Sequence, residues 1–184
     1  MKEIISRIDS LFQEKSRIII AIDGKCASGK STLANKLQQI YNANLFAMDD
    51  FFLPPGLRTA ERLSQPGGNV HYERFKEQIL DMLFFDIDFT YQIYNCETDE
   101  LTASSLIRPN KLNIVEGSYS MHPQLKHAYD LTICLTVNEE TQRERILSRN
   151  GASALDMFVS RWIPLENEYI EKTDLFNACD LLIK

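Results

Sequence analysis

The residues Gly24-Lys25-Cys26-Ala27-Ser28-Gly29-Lys30-Ser31 spell G-x-x-x-x-G-K-[ST] in full, and their flanks give the pattern its meaning. Arg17 to Asp23 is a β-branched run that reads as a buried strand. Ser31 to Ile40 follows with Leu33, Leu37 and Ile40 on one helical face. A strand that turns through two glycines into a helix gathers consecutive backbone N–H groups around an anion. Gly24 and Gly29 allow the bend, and Lys25, Cys26, Ala27 and Ser28 form the cradle between them. The helix adds the positive end of its dipole to the same spot. Lys30 supplies a charge for the outer phosphates, on a side chain expected to be solvated. The Ser31 hydroxyl is placed for Mg²⁺, and Thr32 continues the first helical turn over the same site.

The rest of the chain keeps alternating. Asn44 to Met48 is a short second strand, Leu112 to Val115 and Leu131 to Val137 are further core strands, and Cys179 to Ile183 is a last one. Helical spacing marks Tyr72 to Phe85, the charged stretch Asn138 to Arg149 that stops at Asn150-Gly151, and Trp162 to Tyr169 with Pro164 near its start. The N-terminal MKEIISRIDSLFQEK reads as an amphipathic helix, not a signal peptide. Such an alternation predicts an α/β domain with a mainly parallel five-stranded sheet and helices on both faces. Two segments interrupt it: a Pro- and Gly-rich loop from Phe51 to Val70, and a small hairpin suggested by Phe89, Tyr91 and Ile93 ahead of Cys96 to Glu100.

Composition narrows the partners. The net charge of −6 and pI of about 5.1 argue against a nucleic-acid surface. No stretch approaches the ~20 apolar residues that span a bilayer. Cys26, Cys96, Cys134 and Cys179 are scattered without CxxC spacing; they read as reduced thiols, two or more of them in strands.

The carboxylates and arginines suggest what happens at the loop. Asp49, at the end of the second strand, can take the proton of an attacking hydroxyl and stand near Mg²⁺; the plainer alternative is an Asp that caps a turn. Asp50 is expected to point elsewhere. Glu116 ends the third strand and suits a Mg²⁺ site or, more plainly, solvent. Arg145 and Arg149 share a helix face, and Arg161 lies beyond the Asn150-Gly151 break; Arg149 and Arg161 are candidates for closing over a moving phosphoryl group. The alternative is a solvated face paired with Glu139, Glu140 and Glu144, where Arg143 is assigned. Arg58 and Arg62 in the long loop, with Phe52, Tyr72 and Tyr91, are candidates for holding an acceptor, core packing being the alternative for each aromatic.

Together these residues resemble the uridine kinase-like branch of P-loop kinases, which includes nicotinamide riboside kinases. The resemblance rests on the complete loop, Met48-Asp49-Asp50-Phe51-Phe52, Val115-Glu116-Gly117 and the arginines after the fourth strand, and runs in order from about Ile18 to Arg161. Arg58 to Leu63 and Pro66 to Val70 look like bacterial proteins often labelled uridine kinase by similarity. The resemblance implies a three-layer P-loop NTPase fold, ATP and Mg²⁺ as cofactors, Asp49 as catalytic base, Glu116 at the magnesium site and a lid over about residues 145–161. The aromatic-Asp-His-Pro-Asp stretch of true uridine kinases is not found; His71-Tyr72-Glu73-Arg74-Phe75 stands near its place.

The expectation is therefore one domain over residues 1–184, with about 49–72 and 89–100 as acceptor-side insertions. It would act in the cytoplasm as an ATP-dependent kinase for a nucleoside-like alcohol, with neither nucleic acid nor membrane as partner, a homo-oligomer being compatible. A nucleotide (NMP-type) kinase, a kinase for a vitamin-like alcohol and a non-catalytic nucleotide-binding module stay open as alternatives. Pro109-Asn110-Lys111-Leu112-Asn113 lacks the Asp of a guanine-binding motif, which excludes a GTPase switch.

Overall fold

The computed structural model describes residues 1–184. In chain order it runs through α1 (Lys2–Glu14), β1 (Ile18–Gly24), α2 (Lys30–Tyr41) and β2 (Asn44–Ala47), then a 3₁₀ turn over Met48–Phe51. After a short helix α3 (Ala60–Leu63) come α4 (Tyr72–Phe75), a wider π-type segment Lys76–Leu80, and α5 (Asp81–Phe85). The strands β3 (Gln92–Asn95), β4 (Glu100–Ala103), β5 (Leu112–Glu116) and β6 (Leu131–Leu135) follow. The last part contains α6 (Glu139–Asn150), α7 (Ala152–Met157), a second π-type segment Phe158–Trp162, α8 (Ile163–Lys172), α9 (Leu175–Ala178) and β7 (Leu181–Ile183).

The main sheet has the order β2-β5-β1-β6-β7, and every pairing in it is parallel. Strand periodicity explains why both faces are covered. Ile18, Ile20 and Ile22 of β1 face one side with Leu112, Ile114, Leu131 and Ile133, where Ile4 and Ile8 of α1 and Leu33 and Leu37 of α2 pack on them. Ala21, Val115, Cys134 and Phe46 face the other side, against Phe75, Ile79, Leu83, Tyr169 and Leu175. These two cores make the three-layer P-loop fold expected from the sequence. The chain reverses direction around β1, with β5 on one side and β6 on the other, so the crevice beyond their carboxyl ends is where such a sheet binds ligands.

The two insertions are ordered by local bonds. The long loop closes on itself through an antiparallel bridge between Phe52 and Val70, and the His71 N–H donates to the Phe51 carbonyl at 2.6 Å. β3 and β4 form the expected hairpin, extended by a bridge between Phe89 and Ile107. Three details differ from the sequence expectation. Asp49 and Asp50 lie on the 3₁₀ turn after β2, not on the strand end. Helical structure begins again just past Gly151 and continues to Lys172, passing Pro164 through the π-type segment, because proline cannot donate to the turn before it. Only Cys134 of the cysteines lies in a strand; all four are free thiols.

Candidate active site

The loop after β1 is shaped by close packing. Gly24 has φ +122°, and a Cβ there would lie 2.0 Å from the Leu135 carbonyl oxygen at the end of β6. Any side chain would drive the two strands apart. Asp23, 1% exposed, locks the neighbouring segments: its carboxylate accepts from the N–H groups of Gly24, Tyr119 and Met121 and from the Tyr169 hydroxyl. One buried acid thus ties β1, the turn after β5 and α8 together. Burial raises its pKa, against the partial opposition of the Met121 N–H, the Lys30 charge, the Gly24 N–H and the Tyr169 hydroxyl.

Lys30 is not the solvated charge expected from the sequence. It is 8% exposed, and its ammonium donates to the carbonyls of Gly24 (2.8 Å) and Lys25 (2.9 Å) and to Ser118 Oγ (3.2 Å). The helix start buries the stem, and the loop carbonyls turn inward to take the charge. Ser31 Oγ stands 3.2 Å from both carboxylate oxygens of Glu116. Burial and the charge of Asp49 raise the Glu116 pKa, against the pull of Lys30 and Ser31. Asp49 is open to the cavity but enclosed on its flanks. That desolvation raises its pKa, with Asp50 and Glu166 adding to the rise and Lys30 and Arg149 opposing it.

These groups share one cavity of about 1270 Å³, which runs from α1 past the phosphate loop to the hairpin. It brings together Cys26, Ala27, Ser28, Gly29, Lys30, Ser31, Thr32, Asp49, Glu116, Arg145, Arg149 and Arg161, with Phe52 and Arg58 on the far wall. Arg145 Nη1 donates to the Ala27 carbonyl at 3.0 Å, so α6 touches the loop directly. Arg161 lies 4.7 Å over the Trp162 ring.

Three of the acceptor-side candidates lie outside this cavity. Arg62 is spent on structure: it pairs with both Glu73 oxygens (2.6 and 2.8 Å), holds the Gly68 and Val70 carbonyls and donates to the Tyr72 hydroxyl. Tyr72 is sandwiched between the Arg62 guanidinium at 4.2 Å and the His122 ring at 4.1 Å. Tyr91 is buried, stacks on Phe51 and donates to Asp50 Oδ2 at 3.0 Å. Asp50 is thereby turned away from the cavity that Asp49 faces.

The structure adds residues that the sequence did not single out. Ser118 and Glu166 stand beside the loop: Ser118 Oγ donates to Glu166 at 2.5 Å, and the Cys26 N–H donates to Glu166 at 2.8 Å. Asn69 lines the cavity with its Nδ2 buried and unpartnered. Helical spacing gives a signal for Glu166, three residues before the buried Tyr169 and hence on the same face. Asn69 and Ser118 are loop residues, and nothing local marks them.

The oxygen set of Ser31, Glu116 and Asp49 fits a hard divalent cation. No group of three or more His, Cys, Asp or Glu stands at metal-binding spacing, but Mg²⁺ held between a protein and a nucleotide takes only one or two protein oxygens, the rest coming from phosphate and water. No helix is long and apolar enough to cross a membrane.

No protein-family model matches the sequence. Among curated proteins the chain is similar to uridine-cytidine kinase C of Dictyostelium discoideum, 22% identical over 123 residues. That match covers 66% of this chain and 27% of the relative, so the chain matches about a quarter of the relative's length. Among solved structures, a possible uridine kinase from Bacillus stearothermophilus superposes with a TM-score of 0.69 at 21% identity, covering 99% of this chain and 100% of that one. A protein provisionally assigned as a fructose transport system kinase, from Silicibacter sp. TM1040, gives 0.71 at 20% identity over 97% and 98% of the two chains. The chain thus has the P-loop kinase fold, and in sequence and fold it is similar to the uridine kinase-like P-loop kinases.

Proposed function

We propose that this protein is an ATP-dependent kinase of the uridine kinase type that transfers the γ-phosphoryl group to a hydroxyl of a nucleoside-like alcohol. The observation that carries the reading is Asp49: a carboxylate with a raised pKa facing the cavity of the phosphate loop, close enough to Lys30 to feel its charge. A hydroxyl must lose a proton as it attacks phosphorus, and a base in this place supplies the acceptor for it. A phosphate acceptor is already ionised and needs cations instead, so the carboxylates Asp49 and Glu166 favour an alcohol over an NMP-type substrate. A module that only binds nucleotide has no use for such a base.

In this scheme the loop N–H groups from Ser28 to Thr32 and the Lys30 ammonium hold the phosphate chain. Lys30 leaves its backbone partners to do so. Ser31 and Glu116, with Asp49 nearby, would hold Mg²⁺, which would neutralise charge on the outer phosphates. Asp49 orients the acceptor hydroxyl and takes its proton while the oxygen bonds to the γ-phosphorus and ADP leaves. Arg149 and Arg161, on a lid formed by about residues 145–161, neutralise the moving group. The acceptor lies against Phe52, Arg58 and Asn69, whose free amide N–H suits a hydroxyl or carbonyl oxygen.

A coupled ADP-release assay with Mg²⁺-ATP across uridine, cytidine, nicotinamide riboside, other nucleosides and vitamin-like alcohols tests the reading. Turnover dependent on one of these alcohols is the expected result. Turnover confined to nucleoside monophosphates contradicts it.

A further inference from the structure

Glu166 is 6% exposed, and its carboxylate sits in the wall of the phosphate site, where it accepts from the Cys26 N–H of the loop and from Ser118 Oγ. No Lys or Arg forms an ion pair with it; the salt bridges of the molecule all lie elsewhere. A buried carboxylate without a cation is costly to keep. The other fully buried acid, Asp23, is satisfied by four donors that knit the fold together. Glu166 instead spends a bond on an N–H of the loop whose amides are built to receive an anion. The Lys30 ammonium, which that anion needs, is meanwhile held through Ser118 by the same acid.

We infer that Glu166 is an internal anion that occupies the edge of the phosphate loop, so that a triphosphate must enter against its charge and release it. The inference rests on the reading of this loop as a nucleotide phosphate site. Glu166 opens the same helix that Tyr169 pins to Asp23, and it follows the run carrying Arg161 and Trp162. Its release therefore loosens the base of the segment that faces the phosphates while the far end of α8 stays anchored. Glu166 sets how tightly the protein holds polyphosphate, and the free enzyme keeps an ordered loop at the expense of nucleotide affinity.

Glu166→Gln tests this, because the amide keeps the size and an oxygen that accepts from the Cys26 N–H, turns its NH₂ towards Ser118 Oγ as a donor, and removes the charge. Affinities for ATP, inorganic tripolyphosphate and adenosine are measured by titration calorimetry on wild type and variant. Removing one like charge near the phosphates is expected to tighten ATP and tripolyphosphate roughly tenfold, with adenosine unchanged. Unchanged or weaker triphosphate binding overturns the proposal, as does equal tightening of adenosine, which would mark a general change of shape. If the glutamine variant does not fold, Glu166→Asp draws the charge back by one methylene. It is expected to tighten both polyphosphates roughly two- to threefold, and no change there is equally fatal. Tightening without phosphorylation of any alcohol leaves this proposal standing and removes the kinase reading. Failure of the wild type to bind either polyphosphate removes both.

Discussion

Asp49 and Asp50 are adjacent and chemically alike, yet the fold gives them different work. Tyr91 donates to Asp50 and Arg74 holds the Asp50 carbonyl, while Asp49 faces the phosphate loop. Asp50→Asn keeps an acceptor for Tyr91 and is expected to change kcat less than tenfold; the check is steady-state kinetics beside Asp49→Asn. With Asp49 as the proposed base, its raised pKa is expected to set the acid side of the pH profile. The base works only when deprotonated, so activity falls as pH drops through a pKa above the ordinary carboxylate value of 3.8. The acid limb of kcat/KM for the free enzyme is expected above that value, and it should vanish from the residual activity of Asp49→Asn. Gly24 is the residue where geometry is least forgiving. Gly24→Ala forces a Cβ into the Leu135 carbonyl at positive φ and is expected to cost on the order of 3 kcal/mol, or roughly 6–12 °C in Tm by calorimetry. The loop motif and both acids were legible in the sequence because their chemistry depends on neighbours in the chain. The burial of Lys30 was not, since the carbonyls and the Ser118 hydroxyl that enclose it come from the folded loop and a distant turn.

At the scale of elements, the strands and the phosphate-loop helix follow from periodicity, but the insertions show where periodicity stops. Tyr72 and Tyr91 look the same in sequence whether they face a ligand or the core. Contacts made in the fold, His122 on Tyr72 and Asp50 on Tyr91, decide that they pack. Arg62 is decided by Glu73, with which it clamps the loop shut. This clamp makes a pH prediction. Burial pushes the His122 pKa down from 6.5 to about 4, aided by the Arg62 charge. Between those values the unfolded chain takes up a proton that the folded imidazole refuses, so stability is lost as pH falls from 6.5 towards 4. The loss attributable to His122 is on the order of 3 kcal/mol. Urea titrations of wild type and His122→Phe at pH 7 and pH 4 check it, and an equal pH dependence in both would contradict it. The π-type segments were also invisible beforehand, because side-chain spacing over a single turn does not separate a wide turn from an ordinary one.

Across the whole molecule, the parallel sheet places the phosphate loop, the Glu116 strand end and the turn bearing Asp49 at one rim, and α6 to α8 close the opposite wall. Binding at this rim draws on both layers, so Mg²⁺-ATP should stabilise the fold as one unit. At a hundred times Kd the gain is about 2.7 kcal/mol, roughly 5–11 °C in Tm, readable by differential scanning fluorimetry. Fold class, the phosphate-loop motif and the placement of Asp49 beside it were thus accessible from local patterns. The far wall of the cavity was legible only in part: Phe52 and Arg58 are candidates in the sequence, whereas Asn69 joins them only through the folding of the long loop. The central claim is tested most directly by single-turnover transfer from γ-labelled ATP to the best alcohol acceptor, with wild type and Asp49→Asn compared at saturating nucleotide. Label should pass to the alcohol in the wild type. The variant should bind ATP with near-normal affinity while transferring about a hundred- to ten-thousand-fold more slowly. Transfer at the wild-type rate by Asp49→Asn would contradict the account.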